Sequence, residues 1–261
     1  MRLPPTSPSR NEPGAAAESR VELARRLISL TDLTRLNDSD DATSVYALAA
    51  LARSGPVKPA TVCIWARWIA AALEALHGSG ISVCAVANFP SGAAAPDAAA
   101  AEIAAAVAAG AAEVDVVFPY RALLAGDASV GLELVRACRE ACAERALLKV
   151  ILETGQLGSA HTIRRAADIA IEGGAHFLKT STGKTQPAAT PEAAAVLLEA
   201  VAAARGHSSV GLKVSGGIRT FDEAVVYLTL YERKFGLGSA SASNFRIGAS
   251  ALFEELLALT A

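Results

Sequence analysis

The sequence predicts an α/β protein of the (β/α)8 TIM-barrel class, and three observations carry that prediction. Eight short strand-like runs alternate with helix-length segments rich in Ala, Leu, Glu and Arg. The units recur at intervals of about 30 residues over about 240 residues, a spacing at which parallel strands joined by right-handed crossovers close on themselves. The first run leads into "TDLTRLND" rather than a Gly-x-Gly-x-x-Gly turn, which disfavours an open doubly wound sheet.

Taken in order, residues 1–22 are expected to form a disordered tail. Their opening, "MRLPPTSPSRNEPGAAAESR", is rich in Pro, Ser, Arg and Ala and lacks the apolar stretch of a signal peptide. Residues 23–261 then make one barrel domain. The strands read as "ISLTDLT" (28–34), "TVCI" (61–64), "VCAVANF" (83–89), "EVDVVFP" (113–119), "LLKVILE" (147–153), "FLKTS" (177–181), "GLKVSG" (211–216) and "FRIGAS" (245–250). The Ala-rich run 98–112 reads as a helix rather than a membrane span, because Asp97, Glu102 and Glu113 bracket and interrupt it. Thr190 before Pro191 has the form of an N-cap with proline at the first helical position, and Thr220 with Glu223 has capping-box spacing.

Composition narrows the partners. At 261 residues and 52% hydrophobic, the chain can bury a large core. Lys and Arg (24) nearly balance Asp and Glu (26), so no overall field would steer nucleic acid, whereas a local site for a small anion stays open. The four cysteines in a long chain point to a reduced, cytoplasmic setting. Cys138 and Cys142, four apart on one helix, suit packing, and with no His or second Cys pair beside them no metal is expected.

The chemistry is suggested by lysines inside strands. Lys149, Lys179 and Lys213 each interrupt an apolar run, and Asp115 stands among valines. A buried ion pair explains one such residue, but buried pairs are often no better for stability than apolar packing, so three lysines and an aspartate ask for another reason. Amine nucleophilicity supplies one. A lysine at its reference pKa of about 10.4 is neutral about once in 2,500 molecules at pH 7, and only the neutral amine attacks a carbonyl. Desolvation and a neighbouring ammonium favour that form, and Lys179 with Lys213 nearby supplies the pairing. Glycine-rich turns end three strands: "STGK" (181–184), "SGGIRT" (215–220) and "IGAS" (247–250). Those after the seventh and eighth strands occupy the usual phosphate position of such barrels.

From about Leu30 to Leu257 the chain resembles the deoxyribose-phosphate aldolases, which are class I aldolases. The resemblance rests on "LTDLTRLND", "TVCIWARWI", "VANFPSG", "GAAEVDVVFPYRALLAG", "LLKVILETG", "FLKTSTGK", "GLKVSGGIRT" and "FRIGAS", in family order. It implies reversible cleavage of 2-deoxy-D-ribose 5-phosphate to D-glyceraldehyde 3-phosphate and acetaldehyde, with no metal or organic cofactor. It also implies Lys179 as the Schiff-base lysine, Lys213 as the lysine that activates it and Asp115 as the acid/base. Asp32, Thr34, Asn37, Lys149 and Thr180 are implied around the substrate, with Lys149 read first as an ion-pair partner of Asp115. Gly183, Lys184, Gly216, Gly217, Arg219, Gly248 and Ser250 are implied at the phosphate.

Two departures stand out. The chain ends in "LALTA" where some relatives carry a terminal tyrosine, and Ala251 stands where many carry a second serine. Cys63 and Cys84 read as core residues, with a reactive thiol near the mouth as the alternative for Cys63. His77, His161, His176 and His207 lack a triad-like setting. Trp68, Phe221, Tyr227 and Tyr231 suit either helix packing or the face of a homodimer or higher homo-oligomer. Two other readings remain open: a Schiff-base aldolase or transaldolase for a longer sugar phosphate, and a non-catalytic phosphate-binding barrel.

Overall fold

The computed structural model describes residues 18–205 and 209–260. Eight parallel strands form a closed barrel in chain order: β1 (Thr31–Thr34), β2 (Thr61–Trp65), β3 (Ser82–Ala87), β4 (Glu113–Val117), β5 (Leu147–Ile151), β6 (Phe177–Lys179), β7 (Gly211–Ser215) and β8 (Phe245–Ala249). Closure comes from β8 pairing with β1 in parallel, with Asp32 opposite Gly248. The helices in chain order are α1 (Arg20–Ser29), α2 (Ala42–Ser54), α3 (Ile69–Ala75), α4 (Pro96–Ala108), α5 (Tyr120–Leu124), α6 (Ser129–Ala141), α7 (Thr154–Leu157), α8 (Ala160–Glu172), α9 (Pro191–Ala204), α10 (Phe221–Phe235) and α11 (Ala251–Leu259). The α/β barrel expected from the sequence is the observed fold.

Strand periodicity of two sorts the side chains. Val114 and Val116 of β4, Leu148 and Val150 of β5, and Leu212 and Val214 of β7 join the apolar core shared with the helices. The residues between them, Asp115, Lys149 and Lys213, face the barrel axis, where their charged ends meet. One alternation therefore builds the core outside the sheet and a charged layer inside it.

Helix starts follow their caps. Thr190 accepts from Ala193 N ahead of Pro191, and Thr220 with Glu223 closes a full capping box on α10. The run 98–112 lies largely within α4, and no helix among the described residues is long and apolar enough to cross a membrane.

The first helix changes two sequence boundaries. Ser19 and Glu22 form a reciprocal capping box, so α1 begins at Arg20 and residues 20–22 belong to the barrel instead of the tail. Ile28 and Leu30, expected in the first strand, lie in α1 and at its C-cap, because Ala24, Leu27 and Ile28 share the buried face of that helix. Tail residues 1–17 and His207 lie outside the described residues.

Cys138 and Cys142 are fully buried against the core, as expected for packing. Phe221, Tyr227 and Tyr231 are also buried, and Tyr231 packs on Phe235 and Phe245, so these three serve their own barrel rather than an exposed face.

Candidate active site

Charged side chains from six of the strands meet inside the barrel. Lys179 (β6) and Lys213 (β7) are register partners, and both ammonium groups lie 2.7 Å from the same oxygen, Asp115 Oδ2. Lys149, the register partner of Asp115, donates to its other oxygen at 2.9 Å. Lys149 also lies 2.5 Å from Glu113 and 3.5 Å from Asp32. Lys213 lies 2.6 Å from Asp32, while Arg246 bridges Asp32 (2.6 Å) and Glu113 (2.9 Å). Asp32, Asp115, Lys149 and Lys213 are fully buried, and Lys179 retains 2% exposure.

Burial alone would push these carboxylates toward neutrality. For Asp115 the ammonium groups of Lys149, Lys179 and Lys213 together outweigh that penalty and hold it well below the usual carboxylate range. Burial likewise opposes ionisation of Asp32, but Lys213, Lys149 and Arg246 lower it overall. In the other direction, burial favours neutral Lys149 and Lys213, yet the facing carboxylates hold both above the ordinary lysine value. Asp32, Glu113 and Asp115 thus balance Lys149, Lys213 and Arg246, leaving Lys179 as the fourth base of the cluster.

Above this layer opens a cavity of 780 Å³, large enough to enclose a small ligand. Lys179, Thr34 and Asn37 line it, together with Gly183, Lys184, Gly216, Gly217, Arg219, Gly248 and Ser250. Gly183, Gly216 and Gly217 have φ of 79°, 94° and 86°, a region glycine enters without strain, so the turns can present backbone close to a ligand. At Gly216 a Cβ would come within 2.7 Å of Ala188 Cβ. Ser250 is the N-cap of α11 but makes no side-chain cap bond. Ser250 lines the cavity together with Ala251 and Glu254 of the first turn of α11. Lys184 reaches across the mouth and donates to Leu36 O at 2.7 Å.

Not every expected substrate residue reaches the cavity. Asp32 and Lys149 sit in the ion layer beneath it, and Thr180 Oγ1 is tied to Ser215, donating to its carbonyl and accepting from its N–H. They support groups that line the cavity. Thr34 donates to Asp32 O, and Asn37 is fixed by Asp40. Cys63 and Cys84 are fully buried core residues, as expected, and the burial of Cys63 removes the alternative of an accessible thiol. Cys63, Cys84 and Asp115 bring possible ligand atoms within 4.8 Å of one another. Both Asp115 oxygens are already held by ammonium groups, an arrangement built for cations on side chains rather than a metal ion.

Glu113 and Arg246 escaped the sequence reading. Their signal was present: Glu113 stands two residues before Asp115, and Arg246 two before Gly248, so each shares the inward face of its strand.

Known proteins share this arrangement of strands. Residues 26–238 match the DeoC/LacD family aldolase profile. A provisionally named deoxyribose-phosphate aldolase from Toxoplasma gondii superposes with a TM-score of 0.84 at 26% identity, over 92% of this chain and 95% of that one. Another so named, from Coccidioides immitis, gives 0.78 at 30% identity over 89% and 86%. The tetrameric deoxyribose phosphate aldolase of Aeropyrum pernix gives 0.73 at 25% identity over 92% and 91%. On a profile match covering most of its length and on these barrels, the chain belongs to the DeoC/LacD aldolase family.

Proposed function

We propose that the protein is a class I aldolase that reversibly cleaves 2-deoxy-D-ribose 5-phosphate to D-glyceraldehyde 3-phosphate and acetaldehyde, through a Schiff base on Lys179. The observation that carries this reading is the position of Lys179. It is the one lysine of the buried cluster that lines the cavity, and the charges beneath it balance without its proton. Lys179 Nζ shares Asp115 Oδ2 with the Lys213 ammonium on one side and opens to the cavity on the other, where its amine can reach a carbonyl.

In the cleavage direction Lys179 Nζ adds to C1 of the open-chain sugar, and loss of water gives a protonated imine. That cation forms 2.7 Å from where Asp115 Oδ2 already stands, so its counter-ion needs no rearrangement. Removal of the C3 hydroxyl proton lets the C2–C3 electrons flow into the imine. Glyceraldehyde phosphate leaves, and a neutral enamine remains. Asp115 acts as base through water, since it lies beneath the cavity lining, and Lys149 together with Lys213 keeps it anionic between turnovers. Protonation of the enamine carbon and hydrolysis release acetaldehyde and restore the amine.

The phosphate binds at the turns after β6 and β7 and at the end of β8, where Gly183, Gly216, Gly217 and Gly248 offer backbone, Ser250 a hydroxyl, and Lys184 and Arg219 positive charge. Thr34 and Asn37 face the sugar. The names of the similar structures support the same substrate. Incubation with 2-deoxy-D-ribose 5-phosphate, followed by mass-spectrometric identification of products, tests the reading. Acetaldehyde and a three-carbon aldehyde phosphate are expected. Turnover restricted to a longer sugar phosphate would move the protein to another Schiff-base aldolase or transaldolase, and no turnover of either would favour a binding protein.

A further inference from the structure

Glu153, two residues past β5 at the N-cap of α7, has no place in the proposed reaction, yet its environment is costly. It is fully buried, its backbone is left-handed at φ 55° and ψ 56°, and no cationic side chain pairs with it among the described residues. A non-glycine residue held this way persists where its surroundings fix it for a purpose. Both its oxygens are used by one residue: Thr182 donates its N–H to Oε1 at 3.2 Å and its hydroxyl to Oε2 at 2.6 Å. With its proton committed to Glu153, Thr182 Oγ1 accepts from Lys184 N at 3.0 Å. Thr182, Gly183 and Lys184 all line the cavity.

We propose that Glu153 is a positioning residue that sets the β6 turn for anion binding, by orienting the Thr182 hydroxyl and through it the backbone of Gly183 and Lys184. The chain of bonds has a direction. A carboxylate only accepts, so Thr182 must donate to it and its oxygen must face Lys184 N–H. The Lys184 side chain, bound to Leu36 O, extends the same brace to the loop after β1. The inference rests on the phosphate-site reading above and adds a residue that touches no substrate.

The test compares wild type, Glu153→Gln, Thr182→Val and Thr182→Ser on 2-deoxy-D-ribose 5-phosphate and on 2-deoxy-D-ribose, with inorganic phosphate binding measured by calorimetry. Glu153→Gln is nearly isosteric but puts an amide donor against one of the two Thr182 donors. It and Thr182→Val are expected to raise KM for the phosphorylated sugar and the Kd for inorganic phosphate about tenfold, the scale of one lost or inverted hydrogen bond. The kcat on the phosphorylated sugar and kcat/KM on the plain sugar should stay within about twofold, and Thr182→Ser should restore wild-type values. Equal losses on both sugars, or unchanged phosphate binding in both variants, would overturn the proposal. If wild type binds no phosphate and shows no preference for the phosphorylated sugar, the anion site itself fails and this proposal falls with it. Wild-type preference retained in full by Glu153→Gln and Thr182→Val would sink the proposal alone.

Discussion

The barrel carries two polar layers of opposite construction. The lower one is made of side chains: Asp32, Glu113, Asp115, Lys149, Lys213 and Arg246, all buried and locked to one another around Lys179. The upper one is made largely of backbone, in the glycine turns after β6 and β7 and in the end of β8 at Gly248, and opens to the cavity. A side-chain layer fixes charge and proton affinity. A backbone layer fixes shape and presents amides without protons to lose. In the proposed reaction, chemistry belongs to the first and anchoring of a distant phosphate to the second, so the two should fail differently when altered.

The largest effect is expected at Lys179. Lys179→Met removes the proposed nucleophile and should lower turnover of phosphorylated and plain sugar alike by about four orders of magnitude or more. Steady-state assays on both substrates check it, and selective loss on one would place the nucleophile elsewhere.

Lys213→Leu comes next, and the structure sharpens what it should do. Lys213 pairs with Asp32 and Asp115 at 2.6 and 2.7 Å in a fully buried site, so its removal leaves each carboxylate one cation short and the buried layer with a net negative charge. Breaking such a cluster costs about 3–5 kcal/mol, so urea unfolding should show a marked loss of stability together with loss of activity on both sugars. Near-wild-type turnover at pH 7 would contradict the role given to it.

The same layer predicts a pH window. Asp32 and Asp115 are lowered on folding, so their contribution is complete above the unfolded carboxylate value near pH 4 and is lost as pH falls further. Lys149 and Lys213 are raised, so theirs is complete below about pH 10 and is lost as pH climbs toward their folded values. Unfolding free energies measured across pH should therefore show a plateau between these limits. A continuous rise or fall through neutrality would mean the cluster is not paired this way.

In the upper layer, Ser250→Asp should spare the plain sugar while reducing kcat/KM on the phosphorylated one. Like charges about 4 Å apart repel by about 1 to 4 kcal/mol depending on local dielectric. The smallest effect, and the most useful exception, is expected at Gly248, where the layers touch. A Cβ there would come 2.9 Å from Ser215 Cβ and 3.0 Å from Lys213 Cε. Gly248→Ala should cost about 1–3 kcal/mol through that overlap and, unlike Ser250→Asp, weaken both substrates by displacing Lys213.

The lower layer was half legible in the sequence. A lysine inside an apolar strand is costly to bury without a chemical use for it, so Lys149, Lys179 and Lys213 stood out, and Asp115 among its valines stood out with them. Glu113 and Arg246 did not, because a charge near a strand's beginning reads as an exposed end until the register shows which way it points. Asp32 was visible in "TDLTRLND" but not its depth: its pairing with Lys213 and Arg246 depends on β8 closing against β1. The upper layer was legible through its glycines, since positive φ leaves a mark on residue choice. Glu153 shows the limit, for nothing in "LLKVILETG" announces a left-handed glutamate whose partner, Thr182, lies 29 residues on.

The proposed chemistry turns on one atom, Lys179 Nζ, lining the cavity above a layer whose charges already balance. Reduction with borohydride in the presence of acetaldehyde, followed by peptide mass spectrometry, addresses that atom directly, because it fixes the imine carbon to whichever nitrogen formed it. An ethyl group on Lys179, absent when the reductant is omitted, is the result expected. Labelling at Lys149 or Lys213 instead, or no active-site label in an enzyme that still turns over, would contradict it.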